Sequence, residues 1–401
     1  MKRLRIVIFP SIAVVVLAAL LVAGWQSASA VSGQHGPQLV LHKRACGSWS
    51  VVASPNVGTS SNFLSGVAAL SAKNVWAVGS EGNGHGGFTL VEHWTGSKWK
   101  GVASLNVKGS LSDSLSGVAA LATNNIWAVG SYFDASNVQH PLIEHWNGTS
   151  WSIVSSPSGG LLNGVAAFAA NNIWAIGSTT GSSVNGYVTL IEHYNGTSWS
   201  VVPGSSVSGG QLFGVTALAT NNVWAVGNVA VNGNLIQTLI EHWNGTSWSV
   251  VSSSGPGLAS NTLSSVASLA ANNIWAVGDD TNSVGPSAQY VPLVEHWNGT
   301  SWSVVSSPVQ GTSDLINGIA AVSANNLWAV GDYRSGLDPQ GPYYTLIEHW
   351  NGTSWSVVTS PSPGVDASDL SSAASVPKTS SVWSVGFTQD VSYQTLTEYY
   401  C

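Results

Sequence analysis

Charge and sulfur are both scarce in this chain. Asp, Glu, Lys and Arg make up 7% of its 401 residues, and it has two cysteines and one methionine. Disordered chains are rich in charge and poor in aromatics, whereas this one carries 20 Trp, so it folds. Its formal charge is −7, and losing Lys2, Arg3 and Arg5 with a leader would make it −10. Neutralising a phosphate backbone takes clustered cations, and the only basic pair beyond that leader is Lys43-Arg44. Nucleic acid is therefore not an expected partner. No D-x-D-x-D-G calcium loop occurs either, and no metal or other cofactor is expected.

The N-terminus, "MKRLRIVIFPSIAVVVLAALLVAGWQSASA", has a basic start, an apolar run and a small-residue step at Ala28-Ser29-Ala30. That is the pattern of a secretory signal, residues 1–30, followed by a linker over 31–45. The run from Ile6 to Gly24 approaches membrane-spanning length, so an uncleaved anchor is the other reading. Both place the bulk of the chain outside the cytosol, secreted or at the cell surface, where a disulfide persists.

From residue 46 onward the chain repeats itself. The Trp of a "WAVG"-like motif recurs at Trp76, Trp127, Trp174, Trp224, Trp275, Trp328 and Trp383, 47 to 55 residues apart. One unit reads "GVAALATNNIWAVGSYFDASNVQHPLIEHWNGTSWSIVSS" and contains four short strand patterns. Asn124-Asn125 and Asn147-Gly148 supply the hairpin turns. Four antiparallel strands at this period make a propeller blade. The expected fold is all-β: a seven-bladed β-propeller over residues 46–401.

The unit resembles kelch-like propellers, the group that includes the central domain of galactose oxidase. A Gly-containing second strand is followed by spaced aromatics, here Trp146 and Trp151. It departs from that pattern in having one Gly, Gly130, where two are usual. The copper chemistry of galactose oxidase depends on a Tyr–Cys crosslink, and both cysteines here lie away from the loops. Sialidases, which share the architecture, clamp carboxylates with several arginines. Beyond the leader this chain has only Arg44 and Arg334.

Trp recurs in the second, third and fourth strand of nearly every unit, and a residue needed in every blade belongs to packing between blades. Glu-His pairs recur at Glu92-His93, Glu144-His145, Glu192-His193, Glu241-His242, Glu295-His296 and Glu348-His349, with Glu398-Tyr399 in the last unit. Adjacent strand residues face opposite ways, so each pair reads as a polar ladder and not as a metal site. The N-G-T triplets at Asn147, Asn195, Asn244, Asn298 and Asn351 match the glycosylation pattern and equally the hairpin turn.

Two of the four connections in each unit hardly vary, while the other two vary freely and emerge together on one face. Loops on a rigid scaffold are where function resides. The candidate ligand-binding residues are Tyr132, Phe133, Asp279, Asp280, Tyr290, Asp332, Tyr333, Arg334 and Tyr343, with Asp134, Asp338 and Tyr344 beside them. The expected function is an exported, non-catalytic and monomeric binding module for an extracellular glycan or protein. The alternatives are a polysaccharide hydrolase or lyase using Asp279, Asp280 and Asp332, and a membrane-anchored surface scaffold.

Aligning the chain ends onto a complete unit puts Cys401 in the slot of Asn147 and Cys46 in that of Gly148. The ring is then cut inside a hairpin turn, and residues 48–54 return as the missing strand of the last blade. A Cys46–Cys401 disulfide is expected to clasp it.

Overall fold

The computed structural model of the protein describes residues 46–84, 86–180, 186–205, 207–231, 235–255, 260–281, 289–336 and 341–401. The leader, the 31–45 linker and Asp338 lie outside the described residues. Among the described residues the structure is all-β. No helix there is long and apolar enough to cross a membrane.

Strand β1 (Trp49–Val51) comes first in the chain but belongs with the last strands. The first complete blade is β2 (Ser61–Ser71), β3 (Asn74–Gly82), β4 (Gly87–Trp94) and β5 (Trp99–Gly101). It is followed by β6 (Ser112–Ala122), β7 (Asn125–Phe133), β8 (Gln139–Trp146) and β9 (Trp151–Val154). The same order repeats in β10 (Leu161–Ala169), β11 (Asn172–Thr180), β12 (Tyr187–Tyr194) and β13 (Trp199–Val201). It repeats again in β14 (Gly210–Ala219), β15 (Asn222–Val231), β16 (Leu235–Trp243) and β17 (Trp248–Val250). Then come β18 (Asn261–Ala270), β19 (Asn273–Thr281), β20 (Tyr290–Trp297) and β21 (Trp302–Val304), and β22 (Ser313–Ser323), β23 (Asn326–Arg334), β24 (Tyr343–Trp350) and β25 (Trp355–Val357). The chain ends with β26 (Ala367–Ser375), β27 (Val382–Gln389) and β28 (Tyr393–Tyr400), and β1 pairs antiparallel with β28 as their fourth strand.

Each blade is an antiparallel meander, and the core lies between blades. The second strand of each is buried on both faces. Val75 and Ala77 of β3 face Val376, Trp383 and Val385, while Trp76 and Val78 face Leu115, Ile126 and Trp151. Each "WAVG" Trp inserts between two aromatics of the following blade. Trp76 packs on Trp146 and Trp151 with ring centroids 5.1 and 5.6 Å apart. Trp383, in the last blade, packs on Trp94 and Trp99 of the first at 4.9 and 5.1 Å. Edge-to-face and tilted rings at these separations add attraction beyond their buried area.

The Gly of the same motif is required by a close approach. A Cβ on Gly130 would sit 2.0 Å from the Ser114 carbonyl oxygen, where the first strand bulges between Leu115 and Gly117. Bulges re-aim side chains, and one recurs in every first strand from β2 to β26.

The chain ends meet as the repeat alignment expects. Cys46 and Cys401 are disulfide-bonded with Cα atoms 4.9 Å apart, and the Gly47 amide donates to the Cys401 carbonyl at 3.1 Å.

Candidate functional site

A four-stranded meander puts its first and third connections at one end and its second connection, with the crossover to the next blade, at the other. Over the five blades from β6 to β25 the first end is chemically uniform. Asn147 Oδ1 accepts from the Thr149 and Ser150 amides at 2.9 and 3.0 Å while Gly148 takes a φ of 102°. The turns at Asn195, Asn244, Asn298 and Asn351 repeat this geometry. All the candidate ligand-binding residues among the described residues lie toward the other end, the loop face.

The structure divides them into three groups. The first borders a cleft of about 370 Å³ on the β6–β9 blade, lined by Tyr132, His140, Lys108, Pro141, Ile153 and Ser155 among others. Its walls are fixed from within. Asp134 accepts from the Ser136 and Val138 amides at 2.8 and 3.0 Å and from His140 Nε2 at 3.0 Å. The Val138 amide, then His140, hold the Asp134 carboxyl below its usual range. On the other wall, the Asp113 carboxyl ties back the Val107 amide (3.2 Å) and the Ser110 hydroxyl. Tyr132 stacks on His140 with centroids 5.0 Å apart and planes at 23°, so one of its ring faces is covered. Phe133 contributes backbone, its carbonyl accepting from the Leu111 amide at 2.8 Å.

The second group is Asp279, Asp280 and Tyr290. Asp279 is buried, and desolvation followed by the Asp280 charge raises its pKa to about 7. Burial and the nearby Asp279 also push the Tyr290 hydroxyl up.

The third group lies between β22–β25 and the last blade. Asp332 and Asp369 are both buried and their carboxyls hydrogen-bond one another. Desolvation raises both; the Asp369 charge pushes Asp332 further up, and the Arg334 guanidinium opposes that only in part. Two carboxyls this close share a proton, because both cannot ionise. Asn317 Nδ2 donates to Asp369 at 3.1 Å and Ser371 donates to it at 2.8 Å. Arg334 lies over the Tyr343 ring at 5.1 Å, and Tyr333 packs against Tyr344 at 5.5 Å.

This arrangement departs from one expectation. A hydrolase or lyase built on Asp279, Asp280 and Asp332 needs these carboxyls of neighbouring blades to meet, but the carboxyl partner of Asp332 is Asp369. Asp279 and Asp332 occupy equivalent slots after "WAVG", and such a slot faces the residue before the first-strand Leu of the next blade. Asn228 meets Thr262 in this way at 3.2 Å, and Phe387 meets Phe63 at 5.1 Å. Asp369 was missed because it sits one residue later in its repeat than Asp314 does in its own. Lys108 and His140 were missed because neither belongs to a repeated motif.

The Glu-His pairs are absorbed by the scaffold. His93 stacks on Trp76 at 4.2 Å, and both donate to Asn74 Oδ1, at 2.8 and 2.9 Å. The glutamates face the crossovers: Ser156 donates to Glu192 at 2.6 Å, and Ser253 Oγ and the Ser254 amide donate to Glu295 at 2.6 and 3.0 Å. Among the described residues, no three His, Cys, Asp or Glu side chains converge as a metal site requires.

No family model matches the chain, and no curated protein matches it. Among solved structures, one described as YCF48 bound to D1 peptide aligns with a TM-score of 0.52 and 16% identity. The alignment covers 88% of this chain and 95% of that one. YCF48 from Cyanidioschyzon merolae aligns with a TM-score of 0.51 and 15% identity, covering 88% and 99%. At such identities the likeness is one of fold, and with the repeated four-stranded blades it makes this protein a β-propeller.

Proposed function

We propose that the chain is an exported, seven-bladed propeller that binds a peptide segment of a partner protein through its loop face, without catalysis. What carries this reading is the contrast between the two ends. Equivalent repeats keep their turns nearly constant and differ in their loops, and a cleft with internally braced walls lies on the loop side. Closure into one ring is supported by β1 pairing with β28 and by Trp383 packing on Trp94 and Trp99.

Peptide is placed ahead of carbohydrate for a specific reason. Sugars are held largely by stacking on open aromatic faces, and here three of the candidate loop tyrosines are engaged, although Tyr187 at the start of β12 is exposed. His140 covers one face of Tyr132, Arg334 lies over Tyr343, and Tyr344 packs on Tyr333. The cleft instead offers a lysine, an imidazole, hydroxyls and the apolar wall of Ile153 and Pro141, a mixture suited to side chains and backbone. The neighbour described as YCF48 bound to D1 peptide is an instance of a similar fold holding a peptide. Of the carboxyls that a hydrolase would use, Asp279 and Asp332 are buried and Asp280 is half-exposed, which favours binding over turnover.

The test is selection from a displayed peptide library against the full chain, with a glycan array and a polysaccharide hydrolysis assay in parallel. Tyr132→Ala combined with Lys108→Glu should weaken the selected peptides about tenfold or more, the scale of an interface anchor. Glycan binding without peptide binding would replace the ligand class, and turnover would replace the whole reading.

A further inference from the structure

The few exposed charges of the described chain are sorted by face. Exposed or half-exposed carboxylates all stand at the loop face: Glu81 and Asp280 near the ends of β3 and β19, and Asp134, Asp366 and Asp390 on loops or crossovers. Of the six cations among the described residues, Lys108 and Arg334 share that face. The other four are exposed and lie at or beside the turn end. Lys73 is in the β2–β3 turn, Lys98 in the β4–β5 turn, Lys100 one residue into the body of β5, and Lys378 in the β26–β27 turn.

These four belong to two adjoining blades. Val376, which begins the turn carrying Lys378, is buried in one cluster with Trp94 and Trp99, the residues flanking the turn of Lys98. The Lys73 stem lies over Gly96 in that same turn, where a Cβ would come within 2.8 Å of its Cγ. In the five blades from β6 to β25 the corresponding turns are Thr-Asn or Ala-Asn and Asn-Gly-Thr-Ser, with no charged side chain. The result is a basic patch on an end with no acidic side chain among the described residues.

The patch adjoins the place where the chain enters the fold. Cys46 and its disulfide partner Cys401 occupy the β28–β1 turn, on the same end of the same blade as Lys378. Ahead of Cys46 the sequence carries the uncharged run from residue 6 to 24.

We propose that the Lys73, Lys98, Lys100 and Lys378 patch seats this propeller on an anionic phospholipid surface, turning the loop face outward. The proposal does not depend on which ligand the loop face takes. Each lysine held near an anionic bilayer strengthens adsorption about fivefold, and the attraction fades within a Debye length and with salt. Four cations beside the chain entry therefore orient the molecule as well as attract it.

Amine footprinting of the full chain in nanodiscs tests this, with acetylation read at each lysine by mass spectrometry. In nanodiscs containing phosphatidylglycerol, Lys73, Lys98, Lys100 and Lys378 should react several-fold more slowly than in phosphatidylcholine-only nanodiscs. Lys108, on the opposite face, should be unchanged, and high salt should abolish the difference. Lys73→Glu with Lys98→Glu changes two exposed side chains and should return Lys100 and Lys378 to the phosphatidylcholine rate. Equal rates in both lipids overturn the proposal. So does protection by a soluble polyanion with none from phosphatidylglycerol, which would assign the patch to an anionic polymer instead.

Discussion

Glu92 is fully buried, and neither of its carboxyl oxygens has a hydrogen-bond partner among the described residues. Desolvation raises its pKa to about 8, so it is largely protonated at neutral pH. An unfolded Glu92 would ionise near its ordinary value of 4.5. Below that value both states are protonated and the group contributes no pH dependence. As pH rises toward 8 the native state binds more protons than the unfolded state, so stability falls across that window. Glu92→Gln removes the ionisation while keeping the shape. Thermal melts of variant and parent should differ little in slope below pH 4.5. The variant should then gain on the parent between pH 5 and 8, by up to a few kcal/mol at about 1.4 kcal/mol per pKa unit. Parallel curves would mean that water or a nearby donor holds the carboxylate in the native state. His93 was legible beside Glu92 as a repeated pair, but its task was not. Stacking on Trp76 and donating to Asn74 brings together residues from two strands, which spacing alone does not specify.

At the scale of the strand, the bulged first strand and the glycine opposite it form one device. Gly130 has backbone atoms of Ser114 and Leu115 at 2.0 and 2.8 Å from the place of a Cβ, and backbone cannot move aside as a side chain can. Gly130→Ala should therefore cost at least the upper part of the usual overpacking range of about 1–3 kcal/mol. Gly109→Ala makes a useful contrast. Its φ of 86° is strained for alanine but nothing lies within 4 Å, so the expected loss is about 1 kcal/mol. Chemical denaturation of both variants checks the order, and a mild Gly130→Ala would show that the bulge relaxes. Strand order and inter-blade packing were readable in advance because Trp, Gly and Asn recur with the period of the blade. The loop-face groupings were not. Asp332 pairs with Asp369 only because successive blades offset their strands, and no linear pattern announces that pairing.

For the whole molecule, acid burial makes stability depend on pH and end closure ties its first and last strands together. Twelve of the 18 acidic side chains are buried: the seven repeated glutamates with Asp113, Asp279, Asp314, Asp332 and Asp369. The six histidines of the Glu-His pairs are shifted the opposite way, burial holding each below 6.5. Their contribution rises with pH up to 6.5 and then stops, so above 6.5 the carboxyls act alone and the thermal midpoint should fall toward pH 8. A midpoint that climbs over that interval would contradict the burial of the glutamates. Closure has its own test. Strand β1 is three residues long, held by its ladder to β28, by Trp49 against Trp328 and Tyr400, and by the Val52 amide donating to Thr397 at 2.8 Å. So short a strand gains much from a covalent tie, and the disulfide closes a loop spanning 355 residues of sequence. The chain-entropy account gives about 5–6 kcal/mol for such a loop as an upper value. Cys401→Ser should lower the thermal midpoint and make the amides of residues 49–52 among the first in the propeller to exchange. An unchanged midpoint, with those amides still protected, would mean that Trp49 packing alone keeps the ends together.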